Sequence, residues 1–134
     1  MGIYTELHFN SRLKENNPSE IIMILKYMVG EIRTSLLILP DHKLFTNDTN
    51  WRYMLQTDSY YFDADTQSTL RFDNISNTHH LCIRANFKNY DNEIELFLDW
   101  IMPYLGKIKG DFLGFFRYEE DETPTLIFMK EIIR

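Results

Sequence analysis

The segment 80–88 has the most regular alternation of polar and apolar residues in the chain, and it limits the folds open to this sequence. Successive side chains of a β-strand point to opposite faces of a sheet, so a period of two residues predicts a half-buried strand. The apolar set is Leu81, Ile83, Ala85 and Phe87, and the polar set is His80, Cys82, Arg84 and Asn86. The chain therefore needs a sheet that is apolar on one face and polar on the other.

Five further segments alternate in the same way and are predicted to be strands. They are 3–9, 60–62, 70–73, 112–118 and 125–130. Segments 60–62 and 70–73 are expected to pair as a hairpin, because the residues between them are polar or small and favour a bend. The last two segments are expected to form a second hairpin around the acidic turn 119–122.

Two segments carry apolar residues at helical spacing. In the first, Asn17 is predicted to cap the helix, Pro18 suits the first turn, and the apolar stripe runs from Ile21 to Ile32. The second begins after Asn89 and is expected to kink or end at Pro103.

The segment 34–58 has no clear period. Residues 36–39 fit either a short strand or a buried connector, and Asn47 or Asp48 is placed to cap a short helix. The apolar residues of that helix would be Trp51, Met54 and Leu55.

The order strand, helix, hairpin plus strand, helix, hairpin predicts a single α+β domain over residues 1–134. We expect a predominantly antiparallel sheet with the two main helices on one face, in ferredoxin-like order. The helices would cover the apolar face and leave the polar face open.

The charge, the cysteine count and the length of the apolar runs indicate which kinds of partner and which cellular compartment to expect. The net charge of −6 argues against a nucleic-acid binder, because such proteins gather Lys and Arg to neutralise phosphates. One cysteine permits no intramolecular disulfide, and no apolar run is long enough to span a membrane. We therefore predict a cytoplasmic protein with neither nucleic acid nor a membrane as its partner.

Two short motifs raise the question of a bound metal. An Asp-x-Asp calcium loop starting at Asp63 would need Gly at its sixth position and Glu at its twelfth, but Ser68 and Asn74 stand there. His80 and Cys82 share a strand face, but a structural zinc usually takes four ligands and no second pair completes the set. We predict no metal and no cofactor, and read these residues as structural.

The aromatic segment 109–118 invites comparison with an RNA-recognition strand, but Asp111 and Leu113 break that motif. Its aromatic residues are instead expected to be core. Two alternating sets are open: Phe112, Phe116 and Tyr118, or Leu113 and Phe115.

The candidate site is the polar face of the sheet. The residues predicted to form it are Tyr4, Glu6, His8, Tyr61, Arg71, Arg84 and Arg117. Asp73, Cys82 and Asn86 would lie beside them. Several arginines among aromatic rings could hold an anionic or planar ligand by forked hydrogen bonds and stacking. The alternative is a solvated face stabilised by cross-strand ion pairs.

Three stretches resemble parts of small uncharacterised proteins of bacterial phages and mobile elements. They are MGIYTEL, NPSEIIMILKYM and DNEIELFLDWIMPYL. The resemblance implies a bacterial cytoplasmic setting and an accessory role, and it implies no activity, cofactor or site.

Two functions are compatible with these patterns. The first is a non-catalytic module that binds a protein partner or forms a homo-oligomer, since the chain lacks the phosphate-loop, nucleophile-elbow, zinc-protease and dinucleotide motifs. No catalytic residue is assigned in it. The alternative is a binder of, or small enzyme acting on, an anionic small molecule held by Arg71, Arg84 and Arg117. In that case His8, His80 or Glu6 would move protons.

Overall fold

A computed structural model of the protein describes residues 4–33, 36–59, 62 and 65–131. The strands are β1 (Thr5–Arg12), β2 (Thr69–Asp73), β3 (Thr78–Phe87), β4 (Phe112–Tyr118) and β5 (Thr125–Phe128). The helices are α1 (Ser19–Met28), α2 (Lys43–Thr46) and α3 (Glu93–Ile101), and a 3₁₀ helix follows at Met102–Tyr104. The strands form one antiparallel sheet in the order β2-β3-β1-β4-β5, so the α+β class is confirmed.

One hydrophobic core holds the apolar residues of the sheet and of the helices. The apolar sets of β1 and β3, represented by Phe9 and Ile83, are almost fully buried. Ile24 of α1 and Phe97 of α3 belong to the same core, and the Phe97 ring meets Phe9 edge to face at 6.0 Å. The alternation in β1 and β3 therefore sorts apolar from polar side chains as the sequence predicts.

The cross-strand register decides which polar side chains share a face. Glu6 lies opposite Asn86 on one side and Arg117 on the other, while His8 lies opposite Arg84. Because side chains two residues apart on a strand share a face, Glu6 and Arg84 lie on the same side of the sheet. We call this side the polar face.

The start of α1 differs from the prediction. Asn17 does not cap the helix: its Nδ2 donates to the Tyr104 carbonyl oxygen at 3.0 Å, and Pro18 is the N-cap residue. Asn17 therefore connects the start of α1 to the 3₁₀ helix.

The two main helices end at different signals. Helix α1 stops at Met28, and Gly30 follows with φ of 84°. Helix α3 ends before Pro103, as predicted.

The connector has a different helix from the predicted one. Residues 36–39 form no strand, and the short helix α2 is capped by His42, whose Nδ1 accepts from Leu44 N at 3.0 Å. Residues 51–56 are turns rather than a helix. Trp51 and Met54 are nevertheless buried, because the turns still direct these side chains into the core.

The predicted hairpin of segments 60–62 and 70–73 falls largely on residues outside the described ranges, so it stays a prediction. Strand β2 pairs with β3 through the turn 74–77, where Asn77 has φ of 58°. Phe62 lies in a bend, and Tyr60, Tyr61 and Asp63 are outside the described residues. Gln67 N donates to Arg84 O at 2.8 Å, and Asn86 N donates to Thr57 O at 3.1 Å. Thr57 and Gln67 therefore both lie beside β3.

A bulge in β4 makes both predicted core sets wrong. The register shifts between Phe112 and Gly114, so Leu113 and Phe116 both point into the core while Phe115 lies opposite His8 on the polar face. Gly114 has φ of 152°, and a Cβ there would overlap the His8 carbonyl oxygen. A β-bulge inserts one extra residue and so reverses the alternation that follows it.

No helix within the described ranges is long and apolar enough to cross a membrane.

Candidate functional site

The side chains of the polar face form four cross-strand rows. In order along β1 they are Asn86–Glu6–Arg117, Arg84–His8–Phe115–Leu126, Thr69–Cys82–Asn10 and Arg71–His80–Arg12. Directly opposite side chains on neighbouring strands are about 5 Å apart, so each row is a set of neighbours. The rows differ in chemistry: the first contains a buried ion pair, the second is partly apolar and the last is cationic.

Glu6 is the centre of the first row, and its carboxylate is bonded on both oxygens. Arg117 donates to Oε2 from Nε at 3.0 Å and from Nη2 at 2.9 Å, and His8 Nε2 lies 2.9 Å from Oε1. The Glu6 side chain is only 11% exposed. The His8 ring is also stacked on Phe115, with centroids 4.5 Å apart and planes 12° from parallel. Both polar partners of Glu6 are therefore held in place.

Phe62 covers this ion pair from the loop before β2. The Arg117 guanidinium carbon lies 5.0 Å from the centroid of the buried Phe62 ring. Arg117 Nη1 also donates to the Asp121 carbonyl oxygen at 3.1 Å. Arg117 therefore contacts a carboxylate, an aromatic ring and a carbonyl group of its own chain, which occupy its guanidinium group.

The guanidinium group of Arg84 is also occupied by groups of the protein. Its Nε donates to the Asp65 carbonyl oxygen at 2.6 Å, and its Nη2 donates to Gln67 Oε1 at 3.3 Å. Arg84 therefore holds the segment before β2 against β3. Two of the three arginines expected to clamp a ligand therefore bind groups of the protein itself.

Of the other predicted residues, Tyr4 and Arg71 do not join this cluster. Tyr4 N donates to Glu119 Oε1 at 3.1 Å, and Lys88 Nζ lies 5.7 Å from the Tyr4 ring centroid. Tyr61 is outside the described residues. Arg71 lies at the opposite end of the face, in the last row.

Arg71 belongs to a second cluster that the sequence analysis missed. It lines an open groove of about 370 Å³ together with Arg12, Lys107, His80 and polar side chains of the third row. We call this the cationic groove. A signal for Arg12 was present, because it continues the alternation of β1 beyond Phe9. Lys107 carries no comparable signal, since it comes from the loop after the 3₁₀ helix.

An exposed apolar cluster lies on the polar face at β4 and β5. Phe112, Leu126 and Phe128 are 55%, 52% and 47% exposed. The rings of Phe112 and Phe128 are 5.7 Å apart in an edge-to-face contact. We call these three residues the apolar surface. The sequence analysis missed it because the bulge turns Phe112 and Phe115 away from the core.

Within the described residues, three titratable groups have shifted pKa values, and their causes are local. The backbone N–H of Ile75 and the Ser76 hydroxyl bond to Asp73 and lower its pKa. Desolvation lowers the pKa of His79, which lies on the opposite side of the sheet from His80. Desolvation raises the pKa of Tyr118.

The metal motifs of the sequence do not assemble into a ligand set within the described residues. Across the described part of the chain, no group of three or more His, Cys, Asp or Glu residues is arranged to hold a metal ion. Cys82 is an exposed thiol, and His80 Nε2 lies 3.9 Å from an oxygen of Asp73.

The chain was finally compared with known proteins. The comparison with family models, curated proteins and solved structures finds no match.

Proposed function

We propose that the protein is a non-catalytic protein-interaction module that binds through the apolar surface and the neighbouring edge strand β5. The observation that carries this proposal is three large apolar side chains, each about half exposed, grouped at the edge of the sheet. Contiguous exposed apolar surface in a water-soluble fold marks an interaction site more often than scattered apolar residues do. An edge strand adds unpaired backbone groups, which a second strand can bind.

The bonding of the polar residues also supports a non-catalytic role. Glu6, His8 and Arg117 are bonded to one another, and Phe62 covers the pair. A general base needs access to the proton it removes, and a clamp needs donors that are free for the substrate. The alternative, an anion binder or enzyme centred on Arg84 and Arg117, has less support because both guanidinium groups already bind the protein.

The partner we propose is a second copy of this chain. In a two-fold dimer with β5 paired antiparallel to its copy, the start of one β5 meets the end of the other. The acidic turn 119–122 precedes β5, while Lys109 and Lys130 lie at the opposite end of the β4–β5 hairpin. Asp111 and Glu131 carry as many negative charges as these two lysines carry positive ones, so charge pairing does not select the arrangement. The antiparallel arrangement is favoured by its two-fold axis, which places the apolar surface of one copy beside that of the other.

Self-association can be measured by sedimentation velocity over a range of concentrations. We expect a concentration-dependent dimer for the wild type, and at least about tenfold weaker dimerisation for Leu126→Glu, because the two-fold axis brings both introduced charges into an apolar interface. Ile75→Glu is the matched control, since Ile75 is 94% exposed in the turn between β2 and β3.

Two results would contradict the proposal. One is a wild-type monomer at the highest soluble concentration. The other is equal weakening by both substitutions, which would mean that added negative charge rather than the apolar surface is responsible. A monomer that binds a different protein through Leu126 would support the interaction-module proposal. It would contradict the proposal that the partner is a second copy of this chain.

We also infer ferredoxin-like connectivity with α1 and α3 on one face. Strand β3 lies between β1 and β2, and β1 lies between β3 and β4, which is the pattern of two split β-α-β units. The shared core of the two helices with Phe9 and Ile83 supports a single covered face. A solution structure with α1 and α3 on opposite sides of the sheet would reject this inference.

We propose, from the resemblance alone, an accessory role in a bacterial phage or mobile element, in the cytoplasm. The net charge of −6 supports a partner other than nucleic acid. Recovery of the tagged protein in the membrane fraction of a bacterial host would reject this setting.

A further inference from the structure

We propose that the cationic groove binds a small phosphate monoester. This site is separate from the interaction surface: the groove lies on β1, β2 and β3, whereas the apolar surface lies on β4 and β5. Four residues carry the proposal, namely Arg12, Arg71, His80 and Lys107.

The cross-strand register places two arginines on either side of one histidine. Arg71 and Arg12 both lie directly opposite His80, one on each neighbouring strand. Two strand spacings, about 10 Å, separate the backbones of the two arginines, and both side chains line the same groove. An anion bound between the two guanidinium groups would be attracted to both of them.

The cationic groups are only partly neutralised by the protein: the Asp73 carboxylate attracts Arg71 without forming a direct ion pair with it. Arg71 and Lys107 form no ion pair or hydrogen bond with any described residue. Arg12 donates from Nε to the Gly106 carbonyl oxygen at 2.9 Å. That bond orients its guanidinium group and leaves the two terminal nitrogens without a partner among the described residues. These groups contrast with Arg84 and Arg117, whose donors are occupied.

The nearby acid is engaged in a turn. The Asp73 carboxylate accepts from Ile75 N at 3.0 Å and from the Ser76 hydroxyl at 3.0 Å. Its distance of 3.9 Å from His80 Nε2 is too long for a hydrogen bond, and that nitrogen is buried without a hydrogen-bond partner among the described residues. Asp73 therefore shapes the end of β2, and the donors that a ligand in the groove can reach are those of Arg12, Arg71 and Lys107.

The lining of the groove fits phosphate better than a single carboxylate. A phosphate monoester carries nearly two negative charges at neutral pH and three acceptor oxygens, which suit several donors at once. Guanidinium groups match its oxygens with forked hydrogen bonds. Asn10 and Thr69 add neutral polar groups to the lining, and the volume of about 370 Å³ leaves room for a small organic group.

Cys82 provides a direct reporter of occupancy. It is the single cysteine of the chain, it is exposed, and it lines the groove. The rate of its alkylation by iodoacetamide can be measured with and without phenyl phosphate, and the affinity can be obtained independently by isothermal titration calorimetry. We expect phenyl phosphate to slow alkylation in a saturable way, and acetate at equal concentration to leave the rate unchanged.

Charge-removing variants test the assignment of the residues. Arg71→Gln and Arg12→Gln should each weaken phenyl phosphate binding about tenfold, because each removes a charge-assisted contact. Lys88→Gln is the control: it removes the same charge from an exposed position outside the groove, and it should change affinity less than twofold by screening. Circular dichroism verifies that each variant is folded.

Several results would overturn the proposal. They are an unchanged alkylation rate with phenyl phosphate, equal protection by acetate, and equal loss of affinity in all three variants. Leu126→Glu should retain phosphate binding, so failure of the dimer and failure of the groove can be told apart.

Discussion

At the residue scale, Glu6 explains why the polar face differs from a typical open sheet surface. The carboxylate is bonded to His8 and Arg117 and is shielded by neighbouring side chains. A surface ion pair contributes little to stability, but breaking a desolvated pair leaves an unpaired charge away from water. The cluster is therefore expected to stabilise the fold rather than to carry out chemistry.

Glu6→Gln should lower the free energy of unfolding by about 2 kcal/mol, because Arg117 loses its charged partner. Asp99→Asn is the control: Asp99 bonds to His42 at 2.8 Å, but its side chain is 78% exposed, so the loss should be a few tenths of a kcal/mol. Urea unfolding at pH 7 measures both. Equal losses in the two variants would mean that burial of Glu6 has no energetic consequence.

At the element scale, the bulge in β4 decides the chemistry of two surfaces. It sends Leu113 and Phe116 into the core and leaves Phe112 on the polar face, where Phe112 meets Phe128. Without the extra residue, strict alternation would send Phe112 and Phe115 to opposite faces. The apolar surface therefore depends on one irregularity at Gly114.

Gly114→Ala should lower the free energy of unfolding by about 3 kcal/mol or more, since the new methyl group would overlap the backbone of β1. Gly110→Ala is the matched control: Gly110 also has positive φ, 93°, but open space surrounds the added Cβ. Its cost should be about 1–2 kcal/mol, from backbone strain alone. A larger loss for Gly110→Ala in thermal or urea unfolding would contradict the close approach of β4 to β1.

At the scale of the whole molecule, one core joins the sheet, the helices and the connector. Trp51 of the connector and Trp100 of α3 both contact Phe45, with ring centroids 4.8 Å and 5.0 Å apart. The connector is therefore packed as part of the main core. The single domain over residues 1–134 stays a prediction, and cooperative unfolding would test it.

A single domain should unfold in one cooperative transition. Tryptophan fluorescence reports on Trp51 and Trp100, while far-ultraviolet circular dichroism reports on the helices and the sheet. We expect the two signals to give coincident urea curves. Separate midpoints would identify the connector as an independently unfolding unit.

Sequence by itself determined the α+β class, the bounds of β4, the sorting of polar from apolar residues in β1 and β3, and the end of α3 before Pro103. These features depend on local patterns, because strand alternation and helix-ending residues act on their immediate neighbours. Only the tertiary structure decided which polar groups meet: Glu6 with Arg117, 111 residues apart, and Arg71 with Arg12 and Lys107. Such pairs follow from strand register, and a bulge or a loop beside a strand changes register without a periodic signal.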